Sequence, residues 1–232
     1  MRTKENREKL RRLSKREILN LSSSLKDLED FSPASDHFYN RILNYKDLPI
    51  KHKLNEAEDN YFFDFMYAGL TAWRMNRGKN RLINFRKFRE NIIKQKNNLK
   101  KLEKKTIINF SDEDIQMLKK IFMKLQLTET RKKEEYVPTK SVIVSNSKTL
   151  HFILPDLIPP IDNAFTGKIY SLTGNRNRQF KVFIKTMRLY QEIMNKYEIN
   201  KSTLKCSEEN SWCTLGKVMD NVLIKLIEEP KN

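Results

Sequence analysis

Cysteine is nearly missing from this chain of 232 residues, which carries only Cys206 and Cys213. Two are too few for a disulfide scaffold and lack zinc-ligand spacing, so ordinary thiols in a reducing compartment are expected. Glycine is scarce at five residues and proline at seven. That argues against a turn-rich β architecture and for long regular elements. Long apolar runs are missing too: Tyr61–Trp73 is interrupted by Asp64, and Leu150–Ile161 by Asp156 and three prolines. No window suits a membrane span. The opening MRTKENREKLRRL has no apolar stretch behind its charges, unlike a secretory signal. A soluble, cytoplasmic chain with no membrane partner is the expectation.

Acid is also in short supply. Against 46 Lys and Arg stand 29 Asp and Glu, a net charge of +17, with a pI near 9.8 and a mean hydropathy of −0.70. Such an excess repels itself in the compact state unless an anionic partner or counterions offset it. A hydrophobic share of 38%, with thirteen Phe, eight Tyr and two Trp, still suffices for a core.

What is present reads as helix. Ser14 with Glu17 forms a capping-box signature ahead of the stripe Ile18, Leu21, Leu25 and Leu28. Residues 1–30 are expected to be a charged N-terminal helix docking on a body formed by 31–232. Within 31–58, SPASD and DLP read as breaks around a short helix. Phe62, Phe65, Met66, Gly69, Leu70 and Trp73 mark an aromatic-rich core helix, with Gly69 allowing another helix close. A thin apolar stripe predicts a basic helix over 80–104, and Ser111-Asp112-Glu113-Asp114 a strong helix start. Residues 126–139 read as a polar linker and Gly174–Arg178 as a basic loop. Two further periods follow, from Phe180 to Tyr197 and from about Ser211 through Trp212 to Leu226. The expected fold is all-α, a bundle of about eight to ten helices, with 59–139 and 140–232 as candidate lobes flanking a groove.

Charge is concentrated between Arg74 and Lys105, where thirteen Lys and Arg meet two acids, Glu90 and Glu103. A clustered field attracts phosphates within a Debye length; dispersed charge does not. Candidate nucleic-acid contacts are therefore Arg74, Arg77, Lys79, Arg81, Arg86, Lys87, Arg89, Lys94, Lys100 and Lys101, with Arg176 and Arg178 from the later loop. DNA is the expected partner ahead of RNA, with little base readout from this helix. A solvated helix face is the plain alternative.

Residues 145–163 read SNSKTLHFILPDLIPPIDN. Val142-Ile143-Val144 is β-like, Ser145-Asn146-Ser147 reads as a turn, Lys148 opens a helix that Pro155 stops, and Asp162 stands where it can cap the next element. His151 lies on the Lys148 face as a candidate proton shuttle, against a structural histidine. His37 and His52 have no partner suggesting a metal, and neither metal nor cofactor is expected.

FFDFMYAGLTAWRMNR (62–77) together with SKTLHFILPDLIPPID resembles an uncharacterised prokaryotic helical family that has both blocks in this order. Lys148-Thr149 followed by Ile161-Asp162 is also similar to the helix-hairpin-helix DNA glycosylase superfamily, with the like segment near 140–162. That resemblance implies DNA repair, with Lys148 as amine nucleophile and Asp162 as the carboxylate beside a cationic sugar. It further implies a flipped-out base stacked on Trp73, Phe152 or Phe165. The segment departs from that superfamily in having no glycine between Gly78 and Gly167, a shorter Lys-to-Asp spacing and no iron–sulfur cysteine set. The expected function is thus nucleic-acid binding, with glycosylase or lyase chemistry at Lys148 and Asp162. The alternatives are a non-catalytic binding or scaffold protein and a defence-system nuclease or toxin.

Overall fold

The structure, a computed structural model, describes residues 2–23, 32–55, 60–76, 78–204 and 214–228. Cys206, Cys213, Trp212 and Arg77 lie outside the described residues, as do Leu25 and Leu28.

The N-terminal segment forms two helices, α1 (Arg2–Arg12) and α2 (Lys15–Ser23), where the sequence suggested one. Ser14 and Glu17 cap α2 reciprocally: the Ser14 N–H donates to Glu17 Oε2 at 2.7 Å, and the Glu17 N–H to Ser14 Oγ at 3.3 Å. Leu10 and Ile18 are fully buried. Arg7 donates to the carbonyl of Ile169, and α2 packs on the last helix. Both helices thus dock on the body.

Next come α3 (Pro33–Leu43), α4 (Ile50–Lys53) and α5 (Phe62–Ala72). The SPASD stretch is a helix start and not a break: Ser32 caps with its side chain and Pro33 takes the first helical position, where its missing N–H costs nothing. A Cβ on Gly69 would stand 3.0 Å from Ile42 Cδ1 and 3.3 Å from Phe152 Cε2. Its bareness therefore lets α3 and α9 (Ile143–Ile153) close onto α5, as the sequence suggested.

The middle of the chain departs most from expectation. Residues 80–104 form a strand and two short helices, β1 (Asn80–Leu82), α6 (Phe85–Ile93) and α7 (Lys96–Lys101). Asn84 caps α6 by accepting from the Arg86 N–H at 3.0 Å. After α8 (Asp112–Lys124) the supposed linker is a hairpin, β2 (Thr128–Lys132) and β3 (Glu135–Pro138). Strand order is β1-β2-β3, all antiparallel, with Leu82 opposite Thr128 and Thr130 opposite Val137. The protein is mostly helical but not all-α. The small sheet escaped notice because its three- to five-residue strands lie near the surface. Backbone bonds hold them, and charged side chains leave no alternation to read.

A short 3-10 turn (Thr166–Lys168) precedes α10 (Arg176–Lys196) and α11 (Leu215–Glu228). Phe180, Phe183, Met187, Tyr190 and Met194 of α10 are buried, as are Leu215, Met219, Val222, Leu223 and Leu226 of α11. No helix among the described residues is long and apolar enough to cross a membrane.

Candidate active site

The segment that carries Lys148 is helix from Ile143 to Ile153, beginning five residues before Lys148. Ser145-Asn146-Ser147 is thus within the helix and not a turn, and the nearest hairpin, β2–β3, ends at Pro138 before α9 begins. The polar residues work inside the protein. Gln179 Oε1 accepts the N–H groups of Val142 and Ile143 at 2.8 and 3.1 Å, satisfying the helix start from α10. Asn146 Nδ2 donates to the carbonyls of Phe122 and Leu125 at the end of α8, at 3.1 and 3.4 Å. The Asn146 amide, bonded outward, does not compete with its own helix, while Ser145 Oγ and Ser147 Oγ donate back to the Val142 and Val144 carbonyls, each at 3.1 Å. With Lys148 past the first turn, the positive helix end is not what acts on its ammonium.

Two hydrogen bonds pin the returning Pro-rich segment to α9. Ser147 Oγ accepts the Ile161 N–H at 3.0 Å, and His151 Nδ1 meets the Ile158 carbonyl at 2.7 Å. Because Ser147 holds Ile161, the next residues in each segment are brought together. Lys148 Nζ donates to Asp162 Oδ2 at 2.9 Å. The other carboxylate oxygen, Oδ1, accepts the Ala164 N–H at 2.7 Å in a local turn; the next helical element, Thr166–Lys168, has Phe165 at its N-cap and no side-chain cap, so Asp162 does not cap it as expected. Burial pushes the Asp162 carboxyl up, but the Lys148 ammonium and the Ala164 N–H more than offset this and hold it below its ordinary value.

The pair lies in the wall of a cleft of about 540 Å³, a size that suits a small ligand. Trp73 and Phe165 line it, with Ser145, Thr128 and Asn80. Its charged lining residues, among those described, are Arg74, Lys148, Asp162, Lys217 and Asp220. Lys148 Nζ and Lys217 Nζ lie over the Trp73 ring, 5.6 and 5.7 Å from its centre. Lys217 donates to Asp220 within α11, and both side chains are 4% exposed. Burial raises the Asp220 carboxyl above its ordinary value, against the pull of Lys217.

The sequence reading missed this second pair. Lys217, Asp220 and Asn221 fall together on the polar side of an amphipathic helix, LGKVMDNVLIKL, a side that sequence alone reads as solvated, yet all three are buried. Chain proximity explains the burial. A Cβ at Gly216 would collide with the carbonyl oxygens of Ile158 and Pro155, so the bare glycine seats α11 directly against the segment leading to Asp162.

His151 is fully buried and does not line the cleft. A carbonyl only accepts, so Nδ1 carries the proton shared with Ile158, and Nε2 accepts from the Tyr39 hydroxyl at 2.7 Å. Burial drives its pKa down to about 3. A neutral, doubly bonded histidine is structural, which corrects its reading as a proton shuttle. Phe152 is also buried, packed against Trp73 with ring centres 4.6 Å apart. It supports the cleft floor and offers no free face for stacking.

The basic candidates divide. Lys79, Lys87, Lys94, Lys100, Lys101 and Arg178 are exposed. Arg81 pairs with Glu129 at 2.6 Å and covers the Tyr136 ring, Arg86 pairs with Glu90 at 3.1 Å, and half-buried Arg89 lies over Phe63. Arg176 is a correction: it opens α10 and donates to the Met123 carbonyl at 2.6 Å and to Gln126. Its guanidinium caps the end of α8 and is not a free contact. Arg74 is exposed at the cleft. No three His, Cys, Asp or Glu side chains gather into a metal-holding group among the described residues.

Comparison of the chain with protein-family models, with curated proteins and with solved structures gives no match. The site is therefore read from its own chemistry.

Proposed function

We propose that this protein binds nucleic acid and acts on a nucleotide turned out of the strand into the cleft, with Lys148 as amine nucleophile and Asp162 as its carboxylate partner. The observation that carries the reading is the Lys148–Asp162 contact at 2.9 Å in the wall of a cleft shared with Trp73. As the bond from C1′ to the base breaks, the base leaves with its electron pair and takes a proton from the Lys148 ammonium, whose Nζ forms the new bond to C1′. The sugar ring then opens, O4′ taking a second proton from Nζ, to give a C1′=N iminium. Solvent takes a C2′ proton as the 3′ phosphate leaves with the electron pair of its bond to C3′. Asp162, ionised and adjacent, stabilises the positive charge that develops on the sugar. Phe165 in the cleft wall supplies an apolar face for an unstacked base. Exposed Lys94, Lys100 and Lys101 supply the non-specific attraction to phosphates.

Borohydride reduction in the presence of an abasic-site duplex tests this reading. A covalent protein–DNA adduct is expected from the wild type, with at least a hundredfold less from Lys148→Ala. Asp162→Asn should form the adduct more slowly while still binding DNA. An undiminished adduct in Lys148→Ala sinks the assignment. DNA binding with no adduct across a panel of lesions leaves the non-catalytic binding protein. Metal-dependent cleavage of undamaged DNA points to the nuclease.

A further inference from the structure

The end of α5 is built in a way that favours glycine and carries arginine. Trp73 is the C-cap, and Arg74 follows with φ 61°. The Arg74 N–H donates to the Thr71 carbonyl at 2.9 Å and the Met75 N–H to the Leu70 carbonyl at 3.0 Å. These two bonds define the left-handed helix C-cap, where a side chain crowds its own backbone and glycine is the usual occupant. Conformation alone does not single out Arg74. Glu198 (φ 51°) ends α10 in the same manner, with bonds from Glu198 to Asn195 and from Ile199 to Met194, and it does not line the cleft.

Charge and position distinguish the two. The cleft's lysines and aspartates cancel in pairs, Lys148 with Asp162 and Lys217 with Asp220. Arg74 remains as the one uncompensated charge among the described lining residues. No carboxylate pairs with it among the described residues. The described lining residues therefore have a net charge of +1, displayed at an exposed position beside Trp73. An entering group with a single negative charge next to a planar body neutralises it. A phosphodiester carries one such charge, and a guanidinium meets two of its oxygens at once.

We propose that Arg74 contacts the phosphodiester flanking the nucleotide that reaches the Lys148–Asp162 pair; this rests on the nucleic-acid reading of the same cleft. Arg74 is a binding residue here, and the chemistry stays with Lys148.

The test combines stability with affinity on the full chain. Arg74→Gly should raise Tm by about 2–4 °C and weaken binding to a labelled duplex containing a tetrahydrofuran abasic analogue about ten- to hundredfold. Glu198→Gly should raise Tm comparably and leave binding unchanged. With neutral methylphosphonates at the two linkages flanking the site, Arg74→Gly should change affinity less than about twofold, because the contact's anion is gone. Wild-type affinity in Arg74→Gly, or the same loss on the neutral duplex, overturns the proposal. So does a mononucleotide 5′-phosphate that binds in an Arg74-dependent way while the duplex does not, since the anion is then free phosphate. Borohydride trapping on the same samples isolates the other failure. If Arg74→Gly weakens duplex binding as expected but the wild type gives no adduct, the Lys148 chemistry falls and the phosphate contact stands.

Discussion

Lys148 and Lys217 sit in the cleft wall, each against an aspartate and with side chains 10% and 4% exposed, whereas Lys94 just after α6 and Lys100 and Lys101 on α7 stand in water. All five carry the same ammonium. The buried two had to shed hydration, which costs several kcal/mol per ion unless a partner is close. The exposed three cost almost nothing and are screened within about 8–10 Å by salt. Of the two kinds, the surface lysines account for attraction at a distance and the cleft pairs for geometry. A basic total of +17 says much about the former and nothing about the latter.

The comparison breaks most visibly at Lys217. Asp220→Ala leaves that ammonium buried without its aspartate and should destabilise the fold by about 3–5 kcal/mol. Changing the pair together, to Lys217→Met with Asp220→Leu, should recover most of the loss in chemical denaturation. Equal losses in the single and double variants would mean that burial of charge is not what the site resists.

A smaller effect concerns pH. His151 takes its proton at an ordinary value near 6.5 when unfolded but only at about 3 when folded. Between those values the unfolded chain binds more protons, so stability should fall as pH drops from 6.5 toward 3. Asp162 acts in the same direction at the acid end. Its folded value is depressed, so its contribution is present above the ordinary carboxylate range and is lost as pH falls through the folded value. His151→Gln should flatten the slope between pH 6.5 and 4 in a series of urea titrations; an unchanged slope assigns it to other groups.

The smallest stability effect belongs to the surface. Lys100→Glu with Lys101→Glu should shift unfolding by no more than about 0.5 kcal/mol. It should also weaken DNA binding and lower the slope of log affinity against log salt by roughly 1–2. A preserved slope would remove α7 from the contact surface and leave the cleft rim as the whole of it.

How much of this was legible depends on the kind of burial. α5, α8 and α10 announce themselves because a buried apolar face repeats at helical period, and Ser111 caps with Asp114 as its sequence suggests. The start of α9 was not legible. Ser145, Asn146 and Ser147 look like a turn in isolation, whereas α10 satisfies the helix start at Val142 and Ile143 and α8 takes up the Asn146 amide, both from far along the chain. The same holds for β1, whose three residues pair with a strand more than forty positions away. Lys148 and Asp162 were found because proline and an expected capping position mark their segment. Lys217 and Asp220 were passed over because a lysine in a helix is ordinarily solvated. The strained backbone at Arg74 leaves no trace in sequence at all.

The most direct measurement is to locate the borohydride-reduced sugar on the chain by peptide mapping. Trypsin normally cuts after Lys140, Lys148 and Lys168, but a reduced adduct on Lys148 blocks the middle cut. The account predicts that the adduct travels on one uncut peptide, residues 141–168. An adduct on the amino terminus or on any other lysine, with the Lys148 cut intact, contradicts it.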